Sequence, residues 1–300
     1  MINTGSMFSH IECTSCKKIF SKDEILKLCP VDDCGKVLFP KYDLNIEKSR
    51  KSIDDLKNRE PNMWRYKEFL PVNFEENIIS LGEGFTPILN AKNLAFDLGI
   101  NKLLIKDESL NPTSSFKARG LSAAVSKAKE FGIKKFSIPT AGNAGGALSA
   151  YAAKGNLESY VFMPKDAPQA NKTEVKYFGS NLELIDGYIN DAGKRSLEQS
   201  SNLNLFDVST LKEPYRVEGK KTMGYEIAEQ LNWNLPDHII YPTGGGTGII
   251  GIWKAFQELS EIGMIESDLP KMICVQADGC SPVVDAYLKG KKHAELFENP

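Results

Sequence analysis

Lys117 stands in a run of residue types that could bond covalently to an aldehyde. The run follows an apolar segment, precedes a helix-like one, and reads Asn111-Pro112-Thr113-Ser114-Ser115-Phe116-Lys117-Ala118-Arg119-Gly120. With Ser114 or Ser115 as the N-cap, Lys117 would lie in the first turn of a helix. The helix dipole disfavours an ammonium there, which favours the neutral amine that forms a Schiff base. The same pattern also allows a surface lysine at a helix start.

A second run could bind a carboxylate and a ring substituent. It joins an apolar segment to a helix-like one and reads Pro139-Thr140-Ala141-Gly142-Asn143-Ala144-Gly145-Gly146. Gly142 permits a tight backbone path, and amides at a helix start bind anions. Asn143 offers both a donor and an acceptor to a ring substituent. The alternative is an ordinary turn in which Asn143 caps the helix.

A third run has the composition of a phosphate-binding loop. It also lies between a strand-like and a helix-like segment, and reads Tyr241-Pro242-Thr243-Gly244-Gly245-Gly246-Thr247-Gly248. Glycines at this density let successive backbone amides converge on a phosphate without Cβ clashes. A purely structural turn seldom needs so many glycines, so the phosphate interpretation is favoured.

The same glycines also permit a dinucleotide-binding interpretation. Gly246, Gly248 and Gly251 match G-x-G-x-x-G, and Asp278 lies near the end of the next predicted strand. That fingerprint normally begins its α/β unit, whereas a whole α/β region precedes it here. A P-loop is disfavoured because no Gly-Lys-Ser or Gly-Lys-Thr follows the glycines. The run therefore indicates a site for a single phosphate.

The elements that must position these runs alternate between strand-like and helix-like segments. The predicted strands are 103–105, 136–138, 160–163, 182–185, 239–241 and 272–275. The predicted helices are 116–131, 144–154, 222–231 and 249–262. This alternation predicts an α/β fold with parallel sheets covered by helices, in which ligands bind beyond the carboxyl ends of strands. All three runs fall at such places.

Four cysteines near the beginning of the chain have a spacing that suits a metal. Cys13, Cys16, Cys29 and Cys34 form C-x2-C and C-x4-C pairs, which favour zinc bound by thiolates in a small ribbon over residues 8–42. The alternative is a set of reduced thiols without metal. The three histidines are dispersed, so we expect no histidine metal centre.

Composition and charge exclude several classes of function. Of the 300 residues 41% are hydrophobic and 25% charged, and the formal net charge is -2. Without a basic excess we expect no nucleic-acid partner. No apolar run is long enough for a transmembrane helix, and the first residues lack the pattern of a secretory signal. We therefore expect a cytoplasmic protein that acts on a small molecule and has no membrane partner.

The three runs together supply an amine, a partner for a ring hydroxyl and a phosphate site, which pyridoxal 5′-phosphate requires. In residues and order they resemble the threonine synthase family, within the tryptophan-synthase-β-like group of pyridoxal-phosphate enzymes. The resemblance extends from about residue 11 to residue 300. Further segments that carry it are Leu81-Gly82-Glu83-Gly84-Phe85-Thr86-Pro87 and Glu218-Gly219-Lys220-Lys221-Thr222.

The resemblance implies an enzyme that converts O-phospho-L-homoserine and water to L-threonine and phosphate. It also implies two α/β domains that clasp the cofactor, a small one over 111–215 and a large one over 43–110 and 216–300. Independently of the resemblance, we expect the charged segment 45–80 to wrap a core, because it includes Trp64, Tyr66 and Phe69. A homodimer is a further possibility that the resemblance raises.

Roles for individual residues follow from the same resemblance. Lys117 would be the Schiff-base lysine and would carry protons, and Asn143 would bond to the cofactor's ring hydroxyl. The cofactor phosphate would bind to Gly244, Gly245, Gly246, Thr247 and Gly248. The substrate carboxylate would face Thr140, Ala141, Gly142, Asn143 and Ala144. Arg216 and Lys221 are expected to contact the leaving phosphate, since a dianion needs cationic partners; the alternative is that both are solvated surface charges.

Two departures from the family pattern keep other functions open. Ala141 and Ala144 stand where many relatives have hydroxyl side chains, and a later Ser or Thr that faces the pyridine nitrogen is absent before Pro300. We therefore expect a truncated chain with an incomplete large domain. The alternatives are a serine or threonine dehydratase, a β-replacement enzyme similar to cysteate synthase, and a non-catalytic module that binds a ligand or zinc.

Overall fold

The computed structural model describes residues 1–266, 268–295 and 297. The predicted large domain extends through Ser267, Leu296 and 298–300, which lie outside the described residues. The strands are β1 (Phe8–Cys13), β2 (Ile19–Ser21), β3 (Leu38–Tyr42), β4 (Ile88–Asn90), β5 (Leu104–Lys106), β6 (Lys135–Pro139), β7 (Glu158–Pro164), β8 (Asn181–Ile185), β9 (Phe206–Asp207), β10 (His238–Pro242) and β11 (Lys271–Val275). The helices are α1 (Ile46–Asp54), α2 (Lys92–Asp97), α3 (Lys117–Glu130), α4 (Asn143–Lys154), α5 (Gln169–Tyr177), α6 (Ile189–Leu203), α7 (Tyr215–Gln230), α8 (Thr247–Glu261) and α9 (Pro282–Leu288).

A parallel four-stranded sheet with the order β8-β7-β6-β9 forms the centre of the fold. Its strands are short runs of branched and aromatic residues such as Phe136 and Val161, which are fully buried and pack against Leu148 and Tyr151 of α4. Strands β10 and β11 form a second parallel pair. The predicted α/β class with parallel sheets is therefore confirmed.

The segment around Leu104 differs from the parallel arrangement that the alternation predicts. Strand β5 pairs antiparallel with β4, so that Leu89 lies opposite Ile105. The partner strand contains three residues and follows Pro87, which makes it too short to show alternation in the sequence. Only the pairing itself reveals β4, because a strand of this length carries almost no periodic signal.

Three helices cross at short distances because glycines line their contacts. A Cβ on Gly219 of α7 would overlap the carbonyl oxygen of Arg119 on α3. A Cβ on Gly251 of α8 would lie 2.8 Å from the backbone nitrogen of Lys221 on α7. The absence of side chains at these positions lets α7 lie directly between α3 and α8. Gly251 of the dinucleotide-like pattern is thus explained by helix packing.

The N-terminal segment forms an antiparallel three-stranded sheet with the order β2-β1-β3. Ile11 and Leu38 belong to the same hydrophobic core as the central sheet. Tyr42 Oη donates a hydrogen bond to Glu218 of α7 at 2.8 Å. Lys254 of α8 donates one to the carbonyl oxygen of Pro40 at 2.6 Å. The N-terminal segment is therefore hydrogen-bonded to α7 and α8, the two helices nearest the glycine run.

The charged segment 45–80 packs against the core, as its aromatic residues predict. It forms α1 and several 3-10 turns, and Trp64, Tyr66 and Phe69 are buried. Tyr66 stacks on Tyr225 of α7 with ring centroids 5.3 Å apart. In the part of the chain that the structure describes, we find no helix whose length and apolarity would let it cross a membrane.

Candidate active site

Lys117 lies in the first turn of α3, as the sequence predicts, but the N-cap residue is Phe116 rather than Ser114 or Ser115. Its backbone N–H donates to Ser115 Oγ at 3.3 Å, so a serine just before the helix satisfies one of the free amides. The side chain is half-buried, and Nζ lies 3.7 Å from the centroid of the Phe116 ring. The alternative of an exposed surface lysine therefore does not apply.

The surroundings of Lys117 favour its neutral form. Burial, and then the positive charge of Arg216, lower the pKa of the Lys117 amine to about 8. No carboxylate within the described ranges is among the groups that shift it. A lysine with this pKa is a far better nucleophile near neutral pH than an exposed one, whose pKa is about 10.4.

The glycine run forms a turn that leads into α8, and the N-terminus of α8 has no side-chain cap. Gly246 has φ +80°, a conformation that favours glycine, and α8 begins at Thr247 without a side-chain cap. A Cβ on Gly244 would meet no protein atom within 4 Å, so the space beside the turn is open. A Cβ on Gly248 would overlap the Tyr241 hydroxyl, which gives that glycine a packing role. The free first-turn amides and the open space suit an anion.

Phe116 and Lys220 connect the lysine run to the glycine run. The Phe116 ring lies edge-on to Tyr241, with centroids 6.0 Å apart. Lys220 of α7 has its Nζ 4.9 Å from the Phe116 centroid and 2.5 Å from Thr247 Oγ1. The structure therefore brings the Lys117 turn and the beginning of α8 to one place.

Arg216 lies in the interior rather than on the surface. It is 1% exposed, and its Nη1 donates to the carbonyl oxygen of Val208 at 2.6 Å. Its Nε and Nη2 are buried and have no hydrogen-bond partner in the described part of the chain. The alternative of a solvated charge is wrong for this residue. An unpaired buried guanidinium is costly, and an anionic ligand would remove that cost.

Glu213 lies three residues before Arg216, and its carboxylate accepts hydrogen bonds from the backbone. It accepts hydrogen bonds from the N–H groups of Tyr215 and Arg216 at the start of α7, at 2.6 and 3.1 Å. Burial raises the pKa of Glu213 to about 7, against the opposing effect of Arg216. A carboxyl group with that pKa is only partly ionised at neutral pH, so it balances the nearby cations incompletely.

Lys221 does not match its expected role as a phosphate contact. Its ammonium lies 2.8 Å from Glu218 and 2.9 Å from Glu258, and none of the three side chains is more than 9% exposed. Successive residues of a helix point about 100° apart, so Lys221 faces the N-terminal sheet while Lys220 faces the glycine loop. Because two carboxylates already neutralise Lys221, we do not include it in the candidate site.

The second run begins α4 and leaves that helix start open. The cap position is Gly142, with no side-chain cap, and a Cβ there would meet nothing within 4 Å. Thr140 Oγ1 accepts from the Gly142 amide at 3.1 Å, and Ala141 is exposed. Asn143 is exposed and accepts a hydrogen bond from Asn171 of α5 at 2.9 Å, so it does not cap the helix. Its bond to a ring hydroxyl stays a prediction.

Two features of the site escaped the sequence-based interpretation. Lys220 was recognised only as part of a longer segment, although it lies four residues after Arg216 and thus on the same face of α7. Arg119 is fully buried and binds Glu108 and Glu226, at distances between 2.5 and 2.8 Å. The i, i+4 spacing of Arg216 and Lys220 could have indicated the role of Lys220. No local pattern in the sequence indicates the ion pairs of Arg119.

The four N-terminal cysteines come together. Their sulfur atoms all lie within 4.8 Å of one another, and the Cys13–Cys34 and Cys16–Cys29 distances are both 3.6 Å. Four sulfurs around a zinc ion with bonds of about 2.3 Å would be about 3.8 Å apart. The Ser15 amide also points at Cys13 Sγ, at 3.4 Å. The arrangement suits a tetrahedral thiophilic metal.

Comparisons with known proteins agree with this geometry. Residues 79–297 match the family model described as "Pyridoxal-phosphate dependent enzyme". The chain is 37% identical over 289 residues to threonine synthase of Methanocaldococcus jannaschii, covering 96% of this chain and 70% of that protein. It is 35% identical over 292 residues to threonine synthase of Methanosarcina acetivorans, covering 97% and 70%. Maize serine racemase has a similar fold, with a TM-score of 0.63, 19% identity and coverage of 86% and 69%.

Proposed function

This chain belongs to the pyridoxal-phosphate dependent enzymes, and from that membership we propose that it is a threonine synthase. The reaction converts O-phospho-L-homoserine and water to L-threonine and inorganic phosphate. Arg216 carries the proposal, because two nitrogens of its buried guanidinium have no hydrogen-bond partner among the described residues and its charge lowers the pKa of Lys117. A leaving phosphate supplies the anion that this group lacks, whereas the serine or threonine of a dehydratase does not.

The residues present fit pyridoxal 5′-phosphate. The open space beside Gly244 and the uncapped start of α8 suit its phosphate, which Gly244, Gly245, Gly246, Thr247 and Gly248 would hold. Lys117 would hold it covalently, since the amine has a lowered pKa. Asn143 would contact its ring hydroxyl. When bound, this cofactor supplies an electron sink for negative charge on carbons near the substrate amino group.

The chain's own residues would then bind the substrate and move protons. Amides at the start of α4, from Gly142 to Ala144, with Thr140 beside them, would hold the substrate carboxylate. Lys117, as a free amine, would take and return protons at the α and β carbons. Arg216 would bind the phosphate as it leaves from the γ carbon, and its planar nitrogens match two phosphate oxygens.

Product analysis distinguishes this function from those of the rivals. With pyridoxal 5′-phosphate added, the purified chain should release equal amounts of phosphate and L-threonine from O-phospho-L-homoserine. An Arg216→Met variant should lose this activity but still bind the cofactor, because Arg216 serves the substrate phosphate. Production of a 2-oxo acid and ammonia from L-serine or L-threonine, without phosphate release from phosphohomoserine, would establish a dehydratase instead.

We also propose that Cys13, Cys16, Cys29 and Cys34 bind one structural zinc ion. The close sulfur distances and the N–H directed at Cys13 support this assignment. Thiolate zinc sites are typical of reducing compartments, which agrees with the cytoplasmic location that we propose. Zinc would serve folding, because the site lies in a sheet that packs on α7 and α8 rather than beside Lys117.

Metal analysis provides a direct test of the zinc site. We expect about one zinc per chain, and a Cys29→Ser variant should lose the metal and unfold the N-terminal sheet, since zinc binding there is folding energy. Cys280→Ser is the matched control, because Cys280 lies outside the cluster and should leave zinc content unchanged. Protein purified without chelator that holds no zinc, with four titratable thiols at these positions, would contradict the assignment.

The proposed function is accompanied by assignments of domain bounds, ligand class and oligomeric state. We propose a small domain over 111–215, which contains the whole four-stranded sheet, and a large domain over 43–110 and 216–300, which contains β4, β5, β10 and β11. The ligand would be a small amino-acid substrate. A homodimer remains a prediction that size-exclusion chromatography with light scattering would test.

A further inference from the structure

Within the described residues, the buried Lys220 forms no ion pair with a carboxylate. The Lys220 side chain is 1% exposed. Its Nζ donates a hydrogen bond to Thr247 Oγ1 at 2.5 Å. The neighbouring Lys221, by contrast, has two carboxylates within 3 Å that neutralise its charge. An interior ammonium whose hydrogen-bond partner in the described part of the chain is a hydroxyl is costly, so a lysine at this position calls for a further partner.

The charges around Lys220 are also unbalanced. The charge of Arg216 lowers the pKa of both Lys117 and Lys220, that of Lys117 also lowers the pKa of Lys220, and Glu213 is the carboxylate that acts on Lys220. Burial, followed by the charges of Arg216 and Lys117, holds the pKa of Lys220 well below its usual range. Adding an anion to this cluster would reverse that effect and stabilise the ammonium form.

The direction of the Lys220 side chain separates it from Arg216. Arg216 turns towards the loop after β9, where it binds the carbonyl oxygen of Val208. Lys220 turns towards the first residue of α8, where the glycine run ends. Gly120 of α3 makes room for it, since a Cβ there would lie 3.0 Å from Lys220 Cε. The two cations thus serve different parts of one site.

We infer that Lys220 is the cation that binds the phosphate group of pyridoxal 5′-phosphate, acting from α7 beside the amides of Gly244–Thr247. This inference rests on the proposed cofactor and adds a residue on a different helix to the phosphate loop. The Thr247 hydroxyl holds the ammonium at the start of α8. Binding of the phosphate adds negative charge beyond that of Glu213, whose carboxyl group is only partly ionised at neutral pH.

Comparing two ligands that differ in one phosphate tests this role. The unmodified chain and a Lys220→Met variant are titrated with pyridoxal 5′-phosphate and with pyridoxal, and bound ligand is measured by equilibrium dialysis. Lys220→Met should weaken pyridoxal 5′-phosphate binding roughly 10- to 100-fold, as expected for one charged hydrogen bond. Pyridoxal binding should change by less than about twofold, because it lacks the group that Lys220 contacts. Lys220→Arg, which keeps the charge, should retain part of the preference for the phosphorylated ligand.

The stability of the cofactor-free variants separates this role from a structural one. Replacing an unpaired buried cation with an apolar side chain of similar volume is often neutral or stabilising, so Lys220→Met should melt at the same temperature or higher. A lower melting temperature, or equal loss of affinity for both ligands, would overturn the inference. So would unchanged cofactor affinity with a raised KM for phosphohomoserine, which would assign Lys220 to the substrate. Failure of the unmodified chain to bind pyridoxal 5′-phosphate would instead remove the proposed function, and this inference with it.

Discussion

Replacing Lys117 with alanine should reduce threonine formation by roughly 10⁴-fold, because a positioned acid–base group alone contributes about 10²- to 10⁴-fold and Lys117 also attaches the cofactor. The fold should remain intact, since the Lys117 side chain is half-buried and forms no ion pair within the described residues. Phosphate release and circular dichroism measure the two effects. The matched control is Lys154→Ala, an exposed lysine at the end of α4, which should keep full activity.

The pH dependence of cofactor capture adds a second readout for Lys117. Its pKa is about 8, so the amine is mostly protonated below that pH and mostly neutral above it. Only the neutral amine attacks an aldehyde, and capture of pyridoxal 5′-phosphate should therefore rise with pH around a midpoint near 8. Borohydride reduction followed by mass spectrometry of the labelled peptide measures it. A label on another lysine, or a rise only near pH 10, about the pKa of an exposed lysine, would exclude Lys117.

Replacing Glu226 with glutamine should destabilise the protein by about 3–5 kcal/mol, the usual effect of removing one partner of a buried ion pair. Glu226 is fully buried and accepts hydrogen bonds from Arg119 at 2.5 and 2.8 Å and from Lys106 at 2.7 Å. Burial by itself would raise the pKa of Glu226, but the two cations outweigh that effect and lower the pKa to about 2. The substitution leaves both cations with a neutral neighbour, and it loosens the contact between α3 and α7.

Urea unfolding of Glu226→Gln gives this free energy directly. The matched control is Glu158→Gln, the same chemical change at an exposed residue whose oxygen lies 3.8 Å from Lys135 Nζ. A surface pair of this kind contributes about 0–1 kcal/mol, so the control should unfold almost as the unmodified protein does. Equal and small effects at both positions would show that the Arg119 network contributes little to stability.

Local patterns were sufficient for the elements that carry a strong periodic or compositional signal. The predicted strands at 136–138, 160–163 and 182–185 correspond to β6, β7 and β8 in the observed sheet. Helix α7 begins at Tyr215, seven residues before the predicted start at Thr222, and its first two amides donate to the side chain of Glu213. A carboxylate two residues before a helix is too common to mark a start, whereas a long apolar stripe marks a helix interior well.

Residue type and spacing were enough to single out Lys117, the glycine run and the four N-terminal cysteines as candidates, since each pattern lies within a few consecutive residues. The different surroundings of Lys220 and Lys221 could not be predicted from neighbouring residues in the sequence. The two residues are identical and adjacent, and they differ because α7 lies between α3 and α8. Two carboxylates pair with Lys221, whereas the hydrogen-bond partner of Lys220 among the described residues is the Thr247 hydroxyl. Charge balance in the interior depends on contacts between residues distant in the chain, such as Lys221 with Glu258, and those contacts exist only once the helices have packed.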